Sequence, residues 1–305
     1  MTASTADRPH VVTWGDSGTE TPSSSRSHER RVRRLLRRSA PTPRPPARAL
    51  SWWRELLFVA VLYTVYEFTR GLHQGGLDKA LANGRAILHW EQVSHLDPEG
   101  FLNQALGHLT WLAVLASYFY STMHYLVTPA VLIWMYRRHS DHYRLARTAL
   151  AIATISGLAG FYLFPTAPPR LLEGSGLEDT LESVSNWGWW SSDGSVPRGL
   201  GGLSNQFAAM PSLHVGWAIW SGVLIAVFAK RRWVRALGVL YPLTTSMVVM
   251  ATGNHYLLDV IAGALVIGWG ALAAWAFERW RRGRPSRPAS PTATSSDQEA
   301  FELAD

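Results

Sequence analysis

The chain contains no cysteine and only two lysines, set against 27 arginines. Without thiols there is no disulfide, thiolate zinc site, iron–sulfur cluster or cysteine nucleophile. Charge is missing from long stretches too. Phe101 to Tyr136 holds no Asp, Glu, Lys or Arg over 36 positions, and Gly199 to Ala229 holds none over 31. A soluble α/β enzyme is not written this way, because its exposed helix faces need charge every few residues. No Gly-rich phosphate loop, dinucleotide fingerprint or internal repeat is present. No apolar stretch lies close to Met1, so no cleavable signal is expected and the first apolar segment acts as its own anchor.

What is present is unevenly spread. The 305 residues carry a net charge of +7, and their mean hydropathy of −0.01 averages polar margins with an apolar middle. Residues 1–50 hold ten Arg against four acids, so this segment supplies +6 of the net charge. A run such as Arg30-Arg31-Val32-Arg33-Arg34 has a composition that binds nucleic acid or anionic lipid. The excess of basic residues on one side of the membrane reads it instead as a disordered cytoplasmic tail that fixes topology, with no nucleic-acid partner. Residues 281–305 are expected to be a second disordered tail. The preference for Arg over Lys points to a GC-rich bacterial genome.

Residues 51–280 are expected to form an all-α, polytopic membrane domain of six spanning helices. These fall at roughly 52–69, 104–137, 146–164, 211–229, 234–251 and 256–278. The second stretch is long enough to be two short spans or one bent helix, and charge decides between them. With six spans and both termini in the cytoplasm, the inner segments collect 24 Lys/Arg and the outer segments five. Splitting the second stretch would put a basic end on the wrong side, so it is one helix with Pro129 as its kink point. The protein is thus expected to be a multi-pass protein of the cell membrane. Its outer segments would be residues 71–103, with an interfacial helix around Asp78 to Val93, a Gly/Ser/Trp-rich loop at 165–210, and a tight turn at Thr252 to Asn254.

Ionisable groups inside a membrane are costly, so their positions carry information. Three clusters fall at the same outer level on three helices: Phe164 to Arg170, Ala209 to His214, and Thr252 to Asp259. His255 and Asp259 are four residues apart and share a helix face. Asp259 can take the proton on one imidazole nitrogen and leave the other as a nucleophile. Pro211 suits a first helical turn. The N–H groups of Ser212, Leu213 and His214 would then form an anion seat at the positive end of the helix dipole, with the Ser212 hydroxyl as a further donor. Arg170 offers a planar fork for phosphate oxygens, and His214 is placed to protonate a leaving oxygen. Together these describe phosphoryl transfer through a phosphohistidine.

"MPSLH", followed about 40 residues later by "GNHYLLDVIAG", resembles the second and third signatures of the type-2 phosphatidate phosphatase superfamily of membrane lipid phosphatases. "PTAPPR" before them is similar to the first signature as written in the inositol phosphorylceramide synthase branch. The resemblance covers residues 100–278. It implies His255 as nucleophile, His214 as general acid, Asp259 as orienter, and Arg170 with Ser212 as phosphate ligands. It implies no metal and no cofactor, and as substrate a lipid phosphate or phosphodiester at the extracytoplasmic face, with a hydroxyl acceptor in the transferase branch. The phosphatases carry a Lys where Leu163 stands and an Arg where Val249 stands, which favours the inositolphosphotransferase-like branch; Arg198 is a candidate replacement for one of them. Asn254, Tyr256 and His124 are further pocket candidates, with membrane-interface anchoring the competing role for Tyr256 and packing for His124. The stretch Asn186 to Trp190 reads equally as a lid or as an interfacial anchor, with Gly199, Gly201 and Gly202 as a hinge.

Two other readings compete. A transporter or flippase would use the His/Asp/Arg cluster to relay protons and bind an anionic lipid, but broken helices and inverted repeats are missing. A metalloprotein would use His214, His255 and Asp259 as ligands.

Overall fold

The computed structural model describes residues 76–190 and 205–283, together with positions 53, 55, 57, 60, 61 and 64. The expected N-terminal tail, the chain beyond Gly283, Arg198 and the glycines at 199, 201 and 202 lie outside the described residues. Within them the chain is all-helical, and its only β-type pairing is one isolated bridge, Thr166 with Ala208. The helices are α1 (Leu77–Val93), α2 (Pro98–Gly107), α3 (Thr110–Arg138), α4 (Ser140–Leu163), α5 (Leu213–Phe228), α6 (Arg232–Ala251) and α7 (Leu257–Gly283). Between α4 and α5 the described chain makes single turns at Pro169–Leu171, Thr180–Ser183 and Ser185–Trp187.

Among the described residues, α4, α6 and α7 are long and apolar enough to cross a membrane, and α5 is an apolar helix of 16 residues. Helix α3 has 29 residues, a length of about 44 Å at helical rise, and no charge before Arg137. Of the expected first span, Trp53, Glu55, Leu57, Ala60, Val61 and Thr64 are helical. Glu55 accepts from Arg147 of α4 at 2.5 Å and from the Tyr143 hydroxyl at 3.0 Å. The expected second stretch is in fact two elements. Residues 104–107 close α2, the chain leaves helical geometry at His108 and Leu109, and α3 then runs unbroken through Pro129. The expected interfacial helix is α1.

Water cannot be relied on to satisfy polar groups in apolar helices, so hydroxyls turn back onto their own backbone. Ser117 donates to the Ala113 carbonyl, Thr154 to Leu150, Thr245 to Tyr241 and Ser246 to Pro242, each at 2.8–2.9 Å. With side chains so disposed, the helices pack through small residues. A Cβ on Gly270 would overlap the Ala149 carbonyl of α4, one on Gly222 the Gly238 carbonyl of α6, and one on Gly263 the Ser212 carbonyl ahead of α5. Two indoles fasten α5 to α4: Trp217 donates to the Thr154 hydroxyl at 3.0 Å and Trp220 to the Ala146 carbonyl at 2.9 Å.

Helix α1 turns its buried stripe of Ala80, Gly84, Ile87, Leu88 and Glu91 inward. It stops in a Schellman closure. His95 sits at φ +56, its N–H donates to the Gln92 carbonyl, and the Leu96 N–H donates to the Glu91 carbonyl at 2.8 Å. Pro98 then opens α2, which needs no donor in its first turn. The Pro-rich segment after α4 is gripped on three sides. Ala167 N–H donates to the Ala80 carbonyl, Thr166 N–H to Phe207, and Arg170 N–H to Gly253.

The backbone contact at Gly263 is the tightest test of this packing. Gly263→Ala is expected to lower stability by about 1–3 kcal/mol by forcing α5 and α7 apart. Thermal unfolding in detergent checks it, with Gly268→Ala as the control, since nothing lies within 4 Å of a Cβ there.

Candidate active site

The order Gly-Asn-His at the end of α6 follows from how that helix stops. Gly253 takes φ +71 and donates to the Met250 carbonyl at 2.9 Å, and Asn254 N–H donates to Val249 at 3.1 Å. This is again a Schellman closure, where a left-handed residue is required and glycine has no Cβ to penalise. A Cβ there would also stand 2.9 Å from the Glu178 carbonyl. The closure delivers His255 to the start of α7. Asp259, one turn in, accepts the Tyr256 N–H at 3.0 Å and lies 3.2 Å from His255 Nδ1 through the same Oδ2. Both side chains are buried. A carboxylate can only accept, so Nδ1 carries the hydrogen and Nε2 keeps its lone pair.

Helix α5 starts at Leu213, with Ser212 as its N-cap accepting the Val215 N–H at 3.5 Å. Pro211 therefore stands one residue ahead of the cap rather than in the first turn. The anion seat expected from three N–H groups is smaller than that, because Ser212 N–H is donated to the Asp259 carbonyl at 3.0 Å. The N–H groups of Leu213 and His214 belong to the first turn and have no acceptor within their own helix. The Ser212–Asp259 bond ties the start of α5 to the first turn of α7 and sets the two histidines side by side. Their ring centroids are 5.8 Å apart, so one substrate group can touch both.

Arg170 is held in the 3-10 turn Pro169–Leu171. Its Nε donates to Asn254 Oδ1 at 3.0 Å and its guanidinium reaches Asp179 Oδ2 at 2.6 Å. Both partners of this ion pair are nearly shielded from solvent, at 4% and 12% side-chain exposure, so the pair orients the fork firmly. Asn254 is itself fixed by bonds to the Thr252 hydroxyl and carbonyl. Arg170 is thereby tied to the residue next to His255.

His124 lies against His214, ring centroids 4.4 Å apart and edge-on, while Tyr120 stacks on the same imidazole at 4.6 Å. His124 Nδ1 is 3.1 Å from the Tyr120 carbonyl, which makes it the donor. A small cleft between α3, α5 and α6 is lined by Phe119, Tyr120, His124, His214, Tyr241 and Thr245. Tyr256 is fully buried and donates from its hydroxyl to the Ala167 carbonyl at 2.8 Å, in a cluster with Ala80, Ile87, Leu88 and Leu172. It braces the Pro-rich segment from beneath. Trp190 is likewise fully buried among Leu106, Ala113, Leu181 and Val184, and Tyr118 packs edge-on against Trp189 and Trp190.

Four polar residues escape a reading of local pattern. Asp179, the counter-charge of Arg170, carries the signal of an N-cap: it accepts the Glu182 N–H at 3.1 Å. Asn103 is buried and bolts α2 to the Ala251 carbonyl and to the backbone of Glu178. Glu91 and Glu99 are buried beside the start of α7, and nothing local in their sequence marks them. Among the described residues no group of three or more His, Asp or Glu is arranged to hold a metal ion.

Comparison with known proteins adds two findings. A family model described as the PAP2 superfamily matches residues 85–273. The phosphoinositol dihydroceramide synthase of Bacteroides thetaiotaomicron is 27% identical over 157 residues, covering 45% of this chain and 47% of that protein. The chain thus spans about half the length of this relative. No solved structure matches.

If Asn254 aims the Arg170 fork, then Asn254→Ala should lower kcat/KM by roughly tenfold, about 1.4 kcal/mol of lost orientation, with the fold retained. Steady-state kinetics together with an unchanged unfolding midpoint check it.

Proposed function

The chain belongs to the PAP2 superfamily, and from that premise we propose that it is a membrane phosphoryl transferase acting on a lipid phosphate or phosphodiester through a phosphohistidine on His255. The observation that carries this reading is the His255–Asp259 dyad, with His214 beside it and an oriented, buried guanidinium at Arg170. His255 Nε2 attacks phosphorus. The bond from phosphorus to the leaving oxygen breaks, and His214 gives that oxygen its proton. Asp259 steadies the positive charge that develops on the His255 ring. Arg170, the Ser212 hydroxyl and the first-turn N–H groups of α5 take the non-bridging oxygens. In the second half a hydroxyl gives its proton to His214 and attacks phosphorus, and the N–P bond breaks to restore His255.

The same residues serve water or an alcohol as acceptor. The relative named for phosphoinositol and dihydroceramide supports an alcohol, hence transfer of a phosphorylated polyol head group to a lipid hydroxyl. Leu163 and Val249, standing where the phosphatases carry cations, support the same choice. Charge bias supports a bacterial cell-membrane location with six spans, both termini in the cytoplasm and the site at the extracytoplasmic face.

Purified protein incubated with a panel of lipid phosphates and phosphodiesters is expected to give new head-group-transfer products. These should persist in EDTA, be inhibited by vanadate, and fall about 10³-fold or more in His255→Ala. Free phosphate without transfer products would make it a hydrolase instead. No reaction, together with a His255→Ala variant that behaves as wild type in cells, would return the transporter reading. Topology is testable because the natural chain lacks cysteine. A single cysteine at Ser175 should react with an impermeant maleimide in intact cells, and one at Arg231 only after permeabilisation.

A further inference from the structure

Two buried acids have no part in the reaction above. Glu91 on α1 and Glu99 on α2 are 2% and 0% exposed, in helices that are not among those long and apolar enough to cross a membrane. Their carboxyls are neighbours, each acting directly on the other. Counted as carboxylates, Glu91 Oε2 and both oxygens of Glu99 meet no donor among the described residues. Two adjacent buried carboxylates would leave all three acceptors unmet, and a proton shared between them removes that conflict. The remaining oxygen, Glu91 Oε1, accepts the Leu258 N–H at 2.6 Å. That bond ties the pair to the first turn of α7, and the proton belongs to the pair as a whole.

We propose that Glu91 and Glu99 are positioning residues: a proton-sharing carboxyl pair that clasps the first turn of α7 and so holds His255 and Asp259 in register. The role deepens the phosphoryl-transfer reading and rests on it. A helix start leaves N–H groups that its own turns cannot satisfy. In α7, Asp259 takes the one from Tyr256 and Glu91 takes the one from Leu258. The clasped residue lies next to Asp259 and three after His255. The grip is rigid at its far end, because Asn103, one turn along α2 from Glu99, is bonded to the Ala251 carbonyl at the end of α6.

The clasp depends on the proton. The charged and titratable groups acting on the pair are Asp259 of α7, Asp97 ahead of α2 and the Tyr256 hydroxyl, none of them basic. Burial foremost, with Asp259 adding to it, raises both carboxyls above the ordinary carboxylate range, Glu91 to about 9, so the pair keeps one proton through neutral pH. An acid that binds its proton more tightly in the folded state stabilises that state at low pH and ceases to do so as pH rises through its folded value. The clasp therefore holds at acid and neutral pH and opens on the alkaline side, where two adjacent carboxylates repel.

The test uses the full chain in detergent with Glu99→Gln and Glu99→Ala. A glutamine amide donates to Glu91 at every pH. Glu99→Gln should therefore keep kcat within about threefold at neutral pH and move the alkaline limb of the kcat profile upward by about one pH unit or more. Glu99→Ala should lower kcat by about tenfold with KM little changed. Infrared spectra give a readout independent of turnover: a protonated-carboxyl C=O band should be present in wild type and in His255→Ala, lost on alkaline titration, and missing from Glu99→Gln. An unchanged alkaline limb in Glu99→Gln, or no carboxyl band that depends on Glu99, overturns the clasp. A band that depends on Glu99 in a protein without any turnover of lipid phosphates supports the shared proton and overturns the reaction reading instead.

Discussion

The ends of α5, α6 and α7 meet at one level of the bundle, and each end leaves backbone groups that its own helix cannot satisfy. In an apolar surround an unpaired N–H or C=O is expensive, so the ends must complete one another. Ser212 N–H goes to the Asp259 carbonyl, Asn254 N–H to Val249, Tyr256 N–H to the Asp259 carboxylate and Leu258 N–H to Glu91. The residues proposed for chemistry are neighbours or members of this set. Asp259 illustrates the economy of it: one oxygen caps its own helix and orients His255, while its carbonyl anchors the start of α5. Positioning the dyad and closing the helix ends are one structural task.

The buried ion pair at Arg170 adds the electrostatic counterpart. A guanidinium already matched by Asp179 and steered by Asn254 is pre-organised at no net charge. In the proposed reaction a phosphate arriving there would exchange one counter-anion for another. Such a residue contributes little to ground-state affinity and more to holding a geometry in which charge redistributes, which is where catalytic benefit lies.

How much of this could be read beforehand depended on range. The His255–Asp259 pair was legible because four residues on a helix is a local distance. The apolar runs of α4, α6 and α7 were legible because length and missing charge are local properties as well. The membership of the PAP2 superfamily was legible in two short motifs at the starts of α5 and α7. The break at His108 and Leu109 was not, since apolar character runs straight through it. Nor was the loss of Ser212 N–H from the anion seat, because its acceptor lies 47 residues along the chain. Asp179, Glu91 and Glu99 look like surface charges until tertiary packing buries them. The first span and the two tails lie largely or wholly outside the described residues.

The glycine contacts divide the bundle into two mechanically different parts. Where Gly222 faces Gly238, Gly263 faces the Ser212 carbonyl and Gly270 faces Ala149, main chain touches main chain with no side chain between to rearrange. Helices α4 to α7 behave there as one block, unable to slide without collision. Helix α1 makes a main-chain approach of its own, where Gly84 faces the Ala167 carbonyl and Ala80 accepts the Ala167 N–H, whereas α2 is attached through side-chain bonds from Asn103, each of which can be broken and remade singly. On the proposed reaction, a head group that needs room at the histidines would find compliance on the α2 side, while the dyad and its neighbouring imidazole keep their spacing on the other.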